Sequence, residues 1–142
     1  METLSSIATQ KSTTSRPNVW PSRVVQGIVV IFLLLDGAVH LAVPAPVVEA
    51  MNRLGIPLSL AVTLGIVELI CTALYVIPAT SILGAILLTG YLGGAVAIHM
   101  RAGSPVFEAY IFPALVGVLV WGGLYLWDER LRTLVPLRRP RS

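Results

Sequence analysis

Residues 24–43 read VVQGIVVIFLLLDGAVHLAV, a run in which nearly every side chain is apolar. At about 1.5 Å of rise per residue, a helix of this length spans the roughly 30 Å hydrocarbon core of a membrane. Segments of similar length and composition follow at 58–77, 81–100 and 106–127. Lipid offers no hydrogen-bond partners to backbone groups, so each segment must be a helix. The pattern predicts an all-α fold, an integral membrane bundle of four helices.

The composition of the whole chain agrees with this interpretation. Hydrophobic residues make up 56% of the 142 residues and charged residues only 12%, whereas soluble domains have about 25% charged residues. A single cysteine, Cys71, excludes an intramolecular disulfide and a CxxC motif. The net charge of +3 comes from basic residues near the two ends, away from any aromatic surface that could bind bases. The expected partner is therefore the lipid bilayer and not nucleic acid.

The distribution of basic residues predicts the orientation of the chain. Residues 1–23 are rich in Ser and Thr and are expected to form a disordered tail, and residues 128–142 form a basic tail. The two tails together carry eight Lys and Arg residues, and the loops carry two. Because cytoplasmic segments are enriched in Lys and Arg, both termini are predicted to be cytoplasmic. The expected location is the bacterial inner membrane, with a multi-pass topology.

Three titratable residues lie deep in the apolar segments. Asp36 and His40 are four residues apart in the first segment, which puts them on one face of a helix, and Glu68 lies near the middle of the second. A carboxylate at the centre of a membrane helix costs about 2.5–3.5 kcal/mol on insertion scales, so these groups need partners or water inside the bundle. We assign Asp36, His40 and Glu68 as candidate catalytic residues. The alternative is that they only fix helix packing.

Further polar residues are expected near the same site, in the half of the bundle away from the termini or on the polar stripe of the second segment. The candidate substrate-binding residues are His99, Arg101, Glu108, Tyr91 and Thr72. The simplest packing turns the polar stripes of the first two segments toward the third and encloses an outward-facing polar pocket.

A GxxxG pattern in the third segment, Gly90 and Gly94, predicts close approach of a neighbouring helix. On this prediction, a large side chain at Gly94 would push the two backbones apart.

The chain resembles the DoxX-like family of small bacterial membrane proteins over roughly residues 24–138. The resemblance is carried by DGAVHL (36–41), PAPVVEAMNRLGIP (44–57), GIVELICTALYVIP (65–78), LLTGYLGGAVAIHMRAGSP (87–105), FP (112–113) and WGGLYLWDERLR (121–132). It implies a four-helix membrane protein. The broader family includes subunits associated with quinone-linked sulfur oxidation and with membrane redox-stress complexes. Family members often have Thr before the histidine of the third helix, where this chain has Ile98.

These observations lead to three functional hypotheses. The first is a redox-associated membrane component that binds a quinone or another lipophilic molecule in the pocket, with electrons supplied by a partner protein. The second is a membrane isomerase or hydrolase that uses carboxylate and histidine acid–base chemistry. The third is a non-catalytic assembly subunit. The sequence has no haem, flavin or metal motif, and it leaves open whether the protein is an enzyme and whether it forms a homo-oligomer.

Overall fold

The computed structural model describes residues 20–128 and 131, and all regular elements among them are helical. The elements are α1 (Trp20–Ala42), α2 (Ala45–Leu54), α3 (Ser59–Val76), α4 (Ser81–Arg101), a π-helical segment (Phe107–Ile111) and α5 (Phe112–Trp127). Four stretches are long and apolar enough to cross a membrane, namely Arg23–Ala42, Ser59–Val76, Ser81–Arg101 and Phe107–Leu126. The predicted all-α fold with four apolar helices is confirmed. Most of both predicted tails lies outside the described residues. In the N-terminal tail, residues 20–23 are described and belong to α1. In the C-terminal tail, Asp128 and Leu131 are described.

The four long helices form a closed ring. Helix α1 packs against α3 and α5, and α4 completes the ring by packing against the same two helices. Helices that follow one another in the chain run antiparallel because the connections between them are short. We call the end of the bundle that carries Trp20 and Asp128 the near end. The opposite end, which carries α2, is the far end.

Proline and glycine set the ends of the helices. Pro44 precedes α2, and Pro46 occupies its first turn, where a missing N–H costs no hydrogen bond. Gly55 ends α2 in the left-handed conformation, with φ of 67°, and its N–H donates to carbonyls of the last turn. Between α3 and α4, the Thr80 hydroxyl donates to the carbonyl of Leu74 at 2.8 Å and satisfies one of the free carbonyls at the end of α3.

The near half of the bundle has a mainly apolar core, which we call the near core. Tyr75 is fully buried there, and its hydroxyl donates to the carbonyl of Val120 at 2.9 Å, which joins α3 to α5. Leu88 from α4 and Leu33 from α1 pack into the same core. The outer faces of the helices carry exposed apolar side chains such as Val118. An apolar exterior around a filled interior is the arrangement of a multi-pass membrane protein.

Glycines bring neighbouring helices together at two places. A Cβ atom at Gly65 in α3 would lie 2.8 Å from the carbonyl oxygen of Gly37 and 2.9 Å from Cβ of His40, so α1 and α3 touch backbone to backbone. A Cβ atom at Gly84 in α4 would overlap the backbone of Tyr75 in α3. These contacts hold three of the four long helices at fixed distances.

The predicted close approach at the GxxxG pattern is wrong. A Cβ atom at Gly90 or at Gly94 would meet nothing within 4 Å. Both glycines instead border an internal cavity. Small residues are expected both where two helices touch and where a cavity opens between them. Here the two glycines leave space for the cavity and do not form a helix contact.

Candidate functional site

The far half of the bundle contains a cavity of about 510 Å³. Its walls come from α1, α2, α3, α4, the π-helical segment and α5. Most of the lining is apolar, including Phe32, Leu64 and Phe112. The polar side chains that reach it are Asp36, His40, Glu68, Tyr91, His99 and Glu108. An apolar enclosure with a few converging polar groups is typical of a site for a small lipophilic ligand.

Asp36 and His40 form a pair on one face of α1, as the four-residue spacing predicts. The imidazole Nδ1 of His40 is 3.0 Å from the backbone carbonyl oxygen of Asp36 and 3.7 Å from the side-chain Oδ2 of the same residue. Because a carbonyl oxygen only accepts, Nδ1 carries the proton in this contact. The other nitrogen, Nε2, then keeps its lone pair.

Glu68 is the most enclosed acidic residue of the site. It lies one turn beyond Gly65 on the buried face of α3 and is 1% exposed. The hydroxyl of Tyr91 in α4 donates to Glu68 Oε2 at 3.2 Å. This contact joins α3 to α4 across the cavity. Thr72, one turn further along α3, donates to the backbone carbonyl of Glu68 at 2.8 Å and does not line the cavity.

The far end of α4 contributes His99 to the cavity lining. Its Nδ1 is 3.0 Å from the hydroxyl oxygen of Ser104, in the turn that follows the helix. Ser104 thus supplies the hydroxyl that Ile98 does not provide. Arg101 does not line the cavity: its guanidinium donates to the carbonyl of Leu54 at 2.8 Å and ties the end of α4 to the end of α2.

Glu108 approaches the cavity from the π-helical segment. Its Oε2 atom is 3.5 Å from the Arg53 guanidinium of α2, an ion pair whose geometry does not make a hydrogen bond. The π-helical segment ends two residues before Pro113, whose ring lacks the N–H that a regular helix would use. Short π-helical stretches of this kind are frequent at functional sites.

Helix α2 covers part of the cavity. The sequence did not predict this helix, because the segment between the first two long helices was expected to be a loop. Its buried residues Val47 and Met51, four apart, face the interior. That spacing was the available signal, together with charged residues on the other face. Both ends of α2 adjoin residues with positive φ, Val43 at 47° and Gly55 at 67°. The sequence interpretation also missed Arg53 as the partner of Glu108.

The structure therefore brings six of the eight candidate site residues to one cavity. The three candidate catalytic residues are among them, and so are Tyr91, His99 and Glu108. Thr72 packs in the helix interface beside the cavity, and Arg101 lies at its far rim.

Asp36, His40 and Glu68 also have the donor atoms that a metal ion needs. One carboxylate oxygen from each acid and one imidazole nitrogen lie within 4.8 Å of one another. The sequence showed no metal motif because these atoms come from two helices and meet only in the folded bundle.

Fold and cavity together define a class: a multi-pass membrane protein of four long helices with a mainly apolar, partly charged cavity in one half of the bundle. Within this class the chain belongs to the DoxX-like family, whose model matches residues 24–123. This match confirms the resemblance found in the sequence. Neither the comparison with curated proteins nor the comparison with solved structures found a match.

Proposed function

We propose that this protein is a redox-associated membrane component that binds a quinone, or a similar lipophilic carbonyl compound, in the far cavity. The observation that carries the proposal is the cavity itself. Its volume of about 510 Å³ is in the range of sites for small organic ligands, and its lining is mainly apolar. The family membership supports the class of protein.

The polar groups of the cavity suit the chemistry of a quinone. Reduction of a quinone takes up electrons and protons in equal number, and its carbonyl oxygens accept hydrogen bonds. Glu68 and Asp36 can exchange protons within the cavity, and the Tyr91 hydroxyl and the His99 imidazole can donate to a carbonyl oxygen. In this proposal the electrons come from a partner protein.

The positions of the polar groups favour a ligand over a purely structural role. The close helix contacts are made by Gly37, Gly65 and Gly84, and the main interhelical hydrogen bond of the core is made by Tyr75. Asp36 and Glu68 lie beside the α1–α3 contact and also line the cavity. A non-catalytic assembly subunit has no need for such space.

The proximity of two carboxyl groups keeps an acid–base enzyme as a second candidate. One oxygen of Asp36 and one of Glu68 lie within 4.8 Å of each other. Two acids in such an environment can take different protonation states, which isomerases and hydrolases use. Conversion of a lipophilic substrate by the isolated protein, without an electron donor, would favour this candidate over a quinone site.

A matched pair of glycine variants in α4 tests the proposal. In Gly94→Leu the new side chain projects into the cavity and fills on the order of 100 Å³ of it. In the control Gly93→Leu it projects into a separate groove on the outer surface of the bundle. Neither position has a neighbour within 4 Å of an added Cβ atom, so both variants should fold.

The measurement is binding of a short-chain quinone to the purified protein in detergent by titration calorimetry. We expect Gly94→Leu to weaken binding about ten-fold or more, a loss of about 1.4 kcal/mol, and Gly93→Leu to bind like the unmodified protein. Equal binding by all three proteins would refute the assignment of the cavity. Mass spectrometry of solvent extracts of the purified protein would identify a natural ligand.

A further inference from the structure

We infer that Asp36, His40 and Glu68 form a binding site for a divalent transition-metal ion in the wall of the cavity. The donor atoms come from α1 and α3, which the contact between Gly37 and Gly65 holds together. Gly65 lies three residues before Glu68, and Gly37 directly follows Asp36. The site is thus built on the most closely packed part of the α1–α3 interface.

The spacing of the donor atoms suits one ion after a small adjustment. Oxygen and nitrogen ligands lie about 2.0–2.2 Å from metals such as zinc, and therefore about 3.0–3.5 Å from one another. The three donor atoms here lie within 4.8 Å of one another. Movements of about 1 Å, reached by side-chain rotation, close this difference. Three protein ligands leave further coordination positions open, and all three residues face the cavity.

The orientation of His40 is compatible with metal binding. Histidines that bind metals usually donate their second ring N–H to a carboxylate or a backbone carbonyl, which fixes the ring and the tautomer. With Nε2 as the metal ligand, His40 would have this arrangement, because its Nδ1 lies 3.0 Å from the backbone carbonyl oxygen of Asp36. Nε2 is left as the nitrogen with a free lone pair.

Glu68 shows the corresponding feature on the other helix. Carboxylates that bind metals are themselves held by hydrogen bonds from outside the coordination sphere. Tyr91 supplies such a bond, with its hydroxyl donating to Glu68 Oε2 at 3.2 Å. This bond orients the Glu68 carboxylate, which supplies one of the three donor atoms.

The charge of the cluster, when both acids are ionised, would also favour a cation. Two carboxyl groups lie close together here, and the burial of Glu68, which is 1% exposed, makes an isolated negative charge on it costly. Among the described basic residues, Arg53 pairs with Glu108 and Arg101 bonds the carbonyl of Leu54. Arg23 lies at the near end, on the other side of the near core. A divalent cation would balance both carboxylates at once.

The donor set indicates the kind of metal. Carboxylate oxygens suit magnesium, calcium and manganese, whereas imidazole suits zinc, iron and other transition metals. Two carboxylates with one imidazole therefore favour a transition metal that accepts both, such as Mn²⁺, Fe²⁺ or Zn²⁺. Cys71, the single thiol of the chain, is not part of the donor set.

This site shares the cavity with the proposed quinone but does not require it. Metal binding without quinone binding would refute the proposed function and leave this inference standing. Quinone binding without metal binding would refute the metal site and leave the proposed function standing. If both bind, an open coordination position can accept a carbonyl oxygen of the ligand.

Titration of the metal-free, detergent-purified protein with Mn²⁺, followed by electron paramagnetic resonance, tests the inference. We expect a single Mn²⁺ per chain with a Kd of about 10 µM or below, displaced by Zn²⁺ and not by equal Mg²⁺. The electron spin echo of the bound ion should show coupling to an imidazole nitrogen. Absence of a tight site, or a bound ion without nitrogen coupling, would overturn the assignment to these residues.

Near-isosteric variants locate the ion. Asp36→Asn, His40→Gln and Glu68→Gln should each weaken Mn²⁺ binding at least about ten-fold, and His40→Gln should abolish the nitrogen coupling. Tyr91→Phe, which removes the outer hydrogen bond, should weaken binding by about 10–100-fold. Glu49→Gln on the exposed face of α2 is the control and should bind normally. Equal weakening in the control would mean that carboxylates at the surface bind the ion nonspecifically.

Discussion

Replacing Gly65 by alanine should separate α1 from α3 and thereby destabilise the whole bundle. The added Cβ atom would lie 2.8 Å from the carbonyl oxygen of Gly37 and 2.9 Å from Cβ of His40. Ordinary contacts between such atoms are about 3.4–4.0 Å, so the helices must move apart by roughly 0.5–1 Å. Neither neighbour is the end of a flexible side chain, and the movement must involve the backbone.

The size of this effect follows from comparison with Gly94→Ala in α4. Both substitutions share the gain of about 0.5–1 kcal/mol that alanine brings to a helix, so this contribution cancels between them. At Gly94 the added atom meets nothing within 4 Å. Overpacking a close contact costs about 1–3 kcal/mol, and we expect Gly65→Ala to be less stable than Gly94→Ala by that amount.

The assay is reversible unfolding in mixed micelles, with the denaturing detergent as the variable and circular dichroism as the signal. Gly65→Ala should also weaken ligand or metal binding, because the displaced α1 carries Asp36 and His40 away from Glu68. If Gly65→Ala and Gly94→Ala unfold at the same detergent fraction, the backbones do not meet at Gly65 and the basis of the site is wrong.

Three other changes give distinct expectations. Tyr75→Phe removes the hydroxyl that donates to Val120 and should cost about 0.5–1.5 kcal/mol in the same unfolding assay; an unchanged midpoint would show that this hydrogen bond does not support the core. Glu68→Ala strips the acceptor from the Tyr91 hydroxyl and should cost about 1–3 kcal/mol, whereas Glu68→Gln keeps an acceptor and should cost less; equal losses would contradict the hydrogen bond. A topology reporter inserted at Asn52 should lie outside the cytoplasm and reporters at both chain ends inside it, and a cytoplasmic signal from Asn52 would reverse the predicted orientation.

The sequence was sufficient to predict the long helices because lipid imposes a simple rule. Every backbone group in the hydrocarbon must bond within its own helix, so length and composition alone indicate a span. The predicted segment 58–77 corresponds to α3, Ser59–Val76, and 81–100 corresponds to α4, Ser81–Arg101. The polar stripe containing Glu68 and Thr72 was placed on the inner face of α3 for the same reason, since polar groups avoid lipid.

Features that depend on three-dimensional contact were less accessible. A pair of small residues four apart is expected both where two helices touch and where a cavity opens between them. The GxxxG pattern alone therefore could not tell whether Gly90 and Gly94 form a helix contact or border a cavity. Helix α2 is too short for a membrane span, and its two inward residues, Val47 and Met51, are a weak signal by themselves. The pairing of Arg53 with Glu108 depends on how α2 folds back over the cavity.

The near core has a consequence for the route of protons under the proposed function. Among the described residues, no acidic, basic or histidine side chain lies in the long helices between Leu33 and the near-end surface, so a proton route through this layer would have to use uncharged groups such as the Tyr75 hydroxyl. In the proposed function, protons taken up or released by Glu68 would therefore be exchanged mainly with the water on the far side. If the electrons came from the near side, they would cross this apolar layer without accompanying protons, and each transfer would separate charge across the membrane.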